Sequence, residues 1–284
     1  MSNASNWLTL FTLQAAANDT LAGPNWRNDP KTFDYKAALS DEVVEARLAA
    51  GYAPFWSGGE KPTFDANNLK LEIVDILHFL MSDVMQATAR AADPLPLLAN
   101  NAVNGFRYAK SEDGWDARIA HDFLGSVMTG NIQAAFEDFA RLCGAAGMSF
   151  PELYGKYIAK NALNVFRKSI GYKQDKSVKY WVDAPYVKLI GVVVDEAEAN
   201  EVLKEDGDYA EVGGDAGGFV RYRGKVIHTK DARIEDNVFV MAKIDAMVVA
   251  GDNLLDITYD GMVNVIRDEY TLSLIHISER AGKA

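Results

Sequence analysis

A chain of 284 residues, 49% hydrophobic and 24% charged, has the composition of a globular protein with ample material for a core. Its 40 acidic against 29 basic residues, a net charge of -11, exclude a surface built to neutralise many nucleic-acid phosphates; no direct nucleic-acid partner is expected. The single cysteine, Cys143, cannot close an internal disulfide, and the sequence carries neither a signal-peptide pattern nor an apolar run of ~18 residues, so a reducing cytoplasm and no membrane are expected.

Leu10, Leu13, Ala17 and Leu21 recur at intervals of three and four, predicting an amphipathic helix over 7–22 that Gly23-Pro24 ends. Ser40 as N-cap predicts a second helix over 41–50, and the breaker-rich tract 52–68 reads as a loop. A third helix is expected over 68–92, with Ile73, Ile76, Leu77, Leu80 and Met81 as a broad buried stripe. Two more helical patterns lie at 116–128 and 132–146. Ser149-Phe-Pro-Glu152 then has capping-box spacing and opens a helix running to about Ile170, closed by Gly171.

Residues 1–175 therefore read as one helical domain. Beyond Lys173 the stretches 187–194, 218–229, 238–250 and 254–266 are rich in Val, Ile and Tyr between turn signals, predicting a β-rich domain over 176–271 with one short helix near 196–204. The run Leu272-Ser-Leu-Ile-His-Ile-Ser-Glu279 resembles a translated sequencing adapter, so 272–284 are expected to be a suspect or disordered tail.

Two acidic pairs stand at helical spacing, Glu42-Val-Val-Glu45 and Glu72-Ile-Val-Asp75. Residues three apart share a helix face, so each pair aims two carboxylates at one region. An isolated Glu-x-x-Glu is usually a solvated face, but Glu72 and Asp75 sit in a segment apolar nearly all round, and buried carboxylates need a partner or a metal. Four converging carboxylates would offer the hard oxygen ligands that magnesium prefers and leave positions for water and phosphate.

A third feature is the run from Lys160 to Lys173. Asn164 and Arg167 are three apart and, with Lys160, Lys168 and Lys173, make a basic, amide-bearing helix end suited to phosphate oxygens. His78 follows Asp75 by three, but a bundle di-iron site needs such an element on two helices and only one is present, so His78 reads as a packed residue behind the acids.

Together these motifs resemble the dimeric dUTPases of the all-α nucleoside triphosphate pyrophosphatase superfamily, including phage dCTPase-dUTPases. The resemblance rests on Glu42-x-x-Glu45, on Leu71-Glu-Ile-Val-Asp-Ile-Leu-His-Phe79, on Gly147-Met-Ser through Glu152-Leu-Tyr154, on Lys160-Asn161, and on Asn164-x-x-Arg167 followed by Gly171-Tyr172. They stand in family order over about residues 8–181.

The resemblance implies a mainly α, NTP-pyrophosphatase-like helical bundle that converts dUTP to dUMP and pyrophosphate, with dUDP or dCTP as further nucleotide substrates. It implies two or more Mg2+ ions on Glu42, Glu45, Glu72 and Asp75, with Glu45 orienting the attacking water. Asn164, Arg167, Tyr172 and Lys173 would contact sugar and phosphates. Gln14 and Asn18 would address the pyrimidine, with Trp56 flanking it. A homodimer and, for a phage-encoded protein, the host cytoplasm are also implied.

The sequence departs from the family where Phe55-Trp56-Ser-Gly-Gly-Glu-Lys61 replaces a Trp-Lys-rich segment and where Arg167-Lys168 replaces Arg-Gln. Trp181 fits the Trp that comes after Gly-Tyr, but Glu235-Asp236-Asn237 lies far downstream of where the family has an acidic pair and Asn. The alternatives are a dCTPase or MazG-like pyrophosphohydrolase, or a catalytically silent binding protein on the same fold.

Overall fold

A computed structural model of the chain describes residues 3–52, 62–109, 114–171, 180–182, 192–194, 219–222, 225–228 and 233–281, the last without side-chain detail beyond 270. Its helices are α1 (Ala4–Leu21), α2 (Tyr35–Ala49), α3 (Ala66–Ala87), α4 (Leu95–Tyr108), α5 (Ala117–Met128), α6 (Ile132–Ala145), α7 (Phe150–Ser169), α8 (Asp236–Ala250) and α9 (Tyr259–Ala281). Among the described residues, five short strands lie between α7 and α8: β1 (Tyr180–Val182), β2 (Val192–Val194), β3 (Phe219–Tyr222), β4 (Lys225–His228) and β5 (Arg233–Glu235). No described helix is long and apolar enough to cross a membrane.

Six of the first seven helices start where a side-chain cap dictates, and α4, which follows Pro94, is the exception. Asn3, Asp34, Asp65, Asp116, Asn131 and Ser149 each accept an N–H from the first turn of α1, α2, α3, α5, α6 and α7, contacts worth ~1 kcal/mol apiece. The second helix therefore begins six residues before the expected start. Asp34 is its cap, and Ser40 lies inside it, donating to the Lys36 carbonyl at 2.8 Å. The expected capping box on α7 is half formed. Ser149 Oγ accepts from the Glu152 N–H at 3.3 Å, but the Glu152 carboxylate is engaged by Lys70 of α3 at 2.8 Å.

The core joins α1, α3, α4, α6 and α7 around Trp7, whose ring lies 5.2–5.6 Å from those of Phe106, Phe136 and Phe150. Helix α4 had no counterpart among the expected elements. It crosses α6 so closely that a Cβ on Gly105 would fall 2.6 Å from Phe136 Cβ, so only glycine fits there. Helix α2 packs on α3, which brings the two acidic pairs together.

The β-rich domain expected after Lys173 is not what the chain builds over 236–281. Val238–Ala250 and much of 254–266, expected as strands, are helical: α8 and α9 pack on α7, with a 3-10 turn at Leu254–Asp256 between them. Val240, Met241 and Ile244 of α8 are buried at helical spacing within the same core as α1–α7. Packing of an apolar face against α7 overrides the β-propensity of the Val-rich run. The backbone of the suspect tail is helical as far as Ala281.

Strands do form where 187–194 and 218–229 suggested them, as an antiparallel β2-β3-β4 sheet, and β1 pairs antiparallel with β5. The short helix expected near 196–204 lies outside the described residues.

Candidate metal and nucleotide site

The α2–α3 contact places Glu42, Glu45 and Glu72 so that one carboxylate oxygen of each lies within 4.8 Å of the others. Glu72 is buried, Glu42 half-buried and Glu45 exposed, a gradient from core to solvent across one cluster. Asp75, the fourth expected ligand, stands beside this trio and accepts from Lys160 Nζ at 3.0 Å.

Burial is the first cause that pushes the Glu42 carboxyl up to about 8, and repulsion from Asp75, Glu72 and Glu45 adds to it. Glu72 is pushed up to about 7 by burial first, then by Asp75 and Glu45, while Lys160 and a hydrogen bond from Asn68 pull it back. Crowded, partly desolvated carboxylates beside the Lys160 ammonium make a set of hard oxygen donors whose charge a divalent cation would offset. The residues fit magnesium.

Lys160 is buried in α7 and bridges Asp75 to Asn237, donating to the Asn237 Oδ1 at 3.2 Å. Arg167, two turns on, donates from Nε to Asp236 Oδ2 at 2.8 Å and from Nη2 to both Asp236 Oδ1 and Asn237 Oδ1, the latter at 2.8 Å. The Asp236 side chain is 0% exposed. Asn164 lies beside Arg167, with 3.5 Å between the amide oxygen and Nη1. Lys168 goes elsewhere: its ammonium is bound to the carbonyl of Thr20 at the end of α1. Trp56, Tyr172 and Lys173 lie outside the described residues.

Gln14 and Asn18 are buried, not exposed on a helix surface. Gln14 Nε2 donates to Asn18 Oδ1 at 2.9 Å and to Ser82 Oγ at 3.1 Å, and Asn18 Nδ2 donates to Ser82 Oγ at 2.8 Å. Ser82 donates to the His78 carbonyl at 2.8 Å, and Tyr157 donates to Gln14 Oε1 at 2.5 Å while accepting from Asn161 at 3.2 Å. The His78 carbonyl can only accept, so Ser82 must donate there and receive from both amides. That fixes which way each amide points.

His78 stacks on Tyr157 with ring centroids 4.3 Å apart, and burial pushes its pKa down to about 4. Its Nδ1 lies 2.8 Å from the Val74 carbonyl, which requires Nδ1 to carry the proton. Nε2 is buried without a hydrogen-bond partner among the described residues.

A family model described as dUTPase matches residues 6–172. The chain belongs to the dUTPase family. The matched span contains both acidic pairs, the Gln14–Asn18 amides and Lys160 through Arg167, so membership and geometry meet on the same residues. Family membership supports hydrolysis of a nucleoside triphosphate in general terms. No curated protein matches the chain.

Sequence reasoning missed Ser82 and Tyr157, and it noted Glu235-Asp236-Asn237 only as lying far downstream of the place the resemblance implies. Ser82 had a signal, being a hydroxyl in the buried apolar stripe of α3, and Tyr157 and Asn161 sit on α7 at the spacing that brings them to one face. Asp236 and Asn237 are separated from Arg167 by about 70 residues, and no local pattern ties them to it.

Proposed function

We propose that this protein hydrolyses dUTP to dUMP and pyrophosphate with magnesium, controlling deoxynucleotide pools. The observation that carries the reading is the approach of Glu42, Glu45 and Glu72 to within 4.8 Å beside the Asp75–Lys160 pair, inside the span matched to the dUTPase family. Glu42, Glu45, Glu72 and Asp75 would hold Mg2+, which when bound neutralises the polyphosphate and makes water more acidic. Glu45, the most exposed of the trio, would orient a water at the solvent edge of the cluster. Lys160, Asn164 and Arg167 meet phosphate oxygens, where fixed donors stabilise charge that grows in the transition state.

Asn18 receives the base. Gln14 uses both N–H groups on Asn18 and Ser82, so it orients its neighbour, whereas Asn18 keeps one N–H and an acceptor lone pair. That donor and acceptor complement the O4 and N3–H of uracil. Turning the amide over would suit the N3 and N4–H of cytosine, and the Ser82 anchor opposes that turn. Trp56, Tyr172 and Lys173 retain the roles the family resemblance implies. The exposed Val44 and Leu48 of α2, one turn apart, support a homodimer through the face next to the acids.

The deciding experiment is pyrophosphate release from dUTP, dCTP, dTTP and dATP with and without Mg2+. Metal-dependent turnover led by dUTP is expected. A lead by dCTP would move the activity to a dCTPase, broad turnover to a MazG-like pyrophosphohydrolase, and no turnover of any triphosphate would make this a binding protein on the same fold.

A further inference from the structure

We propose that the catalytic fold is split in sequence: Asp236 and Asn237 act as positioning residues for Arg167 and Lys160, delivered across an insertion spanning residues 183–232. The inference rests on the nucleotide-hydrolase reading for its kinetic consequence, but its architectural half stands alone.

The strand pairing carries the architecture. Val182 of β1 faces Arg233 of β5, Trp181 faces Ile234 and Tyr180 faces Glu235. Directly opposed residues of an antiparallel pair have Cα atoms ~5 Å apart, so the chain leaves at Val182 and returns beside its point of departure. The segment between can be lengthened, cut or rearranged while the two anchoring strands stay paired.

After β5 the chain rejoins the helical core. Ile244 and Ile257 approach Gly155 of α7 so closely that a Cβ there would meet them at 3.4 and 3.1 Å. The dUTPase family match ends at residue 172, before these helices, yet the site needs them.

The charge pairing carries the positioning role. Asp236 is a fully buried carboxylate whose two oxygens meet the same guanidinium edge, a fork that fixes the plane of Arg167 as well as its place. Asn237 accepts from Arg167 and from Lys160, tying the two cations at a set separation. Lys160 in turn holds Asp75. Asp236 and Asn237 therefore act on substrate through other side chains.

The test uses the full chain with a specific-protease recognition sequence placed between Gly213 and Gly214. After cleavage the two fragments are expected to co-elute as one species and to keep kcat/KM within about threefold of the intact protein. Separately, Asp236→Asn is expected to weaken binding of a non-hydrolysable α,β-imido dUTP at least about tenfold, as removal of one member of a buried charge pair does. It should raise KM more than it lowers kcat, and Asp236→Glu should recover part of the loss.

Fragments that separate on cleavage would overturn the split fold. Wild-type analogue affinity and KM in a folded Asp236→Asn would overturn the positioning role. If the intact protein turns over no triphosphate and binds no analogue, the hydrolase reading and the positioning role fall together, and fragment association still decides the architecture.

Discussion

Replacing Glu72 by Gln separates what the carboxylate does for the fold from what it does for the metal. The folded protein holds the Glu72 proton more tightly than an unfolded chain does, about 7 against the usual 4.5, with burial the first cause and the neighbouring acids the second. A raised folded value means that stability is complete below pH 4.5 and is lost as pH rises through about 7. At ~1.4 kcal/mol per pH unit the gap corresponds to roughly 3 kcal/mol, which solvent screening at the partly open cluster reduces to roughly 1–3 kcal/mol. Glu72→Gln removes the loss because the amide never ionises. In EDTA at pH 8 the variant should therefore melt higher than wild type, by roughly 2–4 °C per kcal/mol. At pH 5 the difference should shrink towards zero. In Mg2+ the order should reverse, with wild type gaining stability and the variant gaining little and hydrolysing nothing. Thermal unfolding at the two pH values, with EDTA or Mg2+, reads all of this. A variant less stable than wild type in EDTA at pH 8, or an advantage equal at both pH values, would refute the electrostatic argument.

Ser82→Ala removes the group that fixes the direction of the Gln14 and Asn18 amides, so the ratio of kcat/KM for dUTP over dCTP should fall about tenfold or more, mainly through gain on dCTP; steady-state kinetics on both substrates checks it. His78 behaves oppositely to the acids: its folded value of about 4 lies below the usual 6.5, so its contribution is complete above pH 6.5 and lost as pH falls towards 4. Between pH 7 and 4.5 wild type should lose roughly 2–3 kcal/mol more stability than His78→Gln, measured by denaturant unfolding at each pH. Gly105→Ala would drive a methyl against Phe136 and should cost about 1–3 kcal/mol, visible as a lower urea midpoint with an unchanged slope.

The acidic pairs were legible because their spacing is periodic and because Glu72 and Asp75 interrupt an otherwise apolar helix. A carboxylate there needs a reason, and the structure supplies one in the trio and in Lys160. Helix α4 was not legible: Pro96, Asn100, Asn101, Asn104 and Gly105 lower its intrinsic propensity, and what holds it is packing against α1 and α6. Helices α8 and α9 were misread for the complementary reason. Their β-branched residues favour strands locally, and only the face offered by α7 makes the helix the lower-energy choice. The amide network was half legible. The family resemblance pointed to Gln14 and Asn18, but their burial and their dependence on Ser82 arise from the approach of α3 to α1.

One helix organises the whole site. Tyr157, Lys160, Asn161, Asn164 and Arg167 succeed one another at steps of three, one, three and three, so they share a face of α7. Along that face Tyr157 holds the Gln14 amide of α1, Lys160 holds Asp75 of α3, and Arg167 holds Asp236 of α8. Ten residues of helix rise about 15 Å, so α7 fixes the distance between the amide pair and the Arg167 fork without any loop between them. In the proposed reading the base meets one end of this ruler and the phosphates the other, with the carboxylate trio beside its middle. The separation is then a property of backbone hydrogen bonds, which are stiff, and not of the long cationic side chains, which are not. This explains why Lys160 and Arg167 are each tethered by an acid: the helix sets the place of each Cα, and Asp75 and Asp236 remove the side-chain freedom that would otherwise blur it.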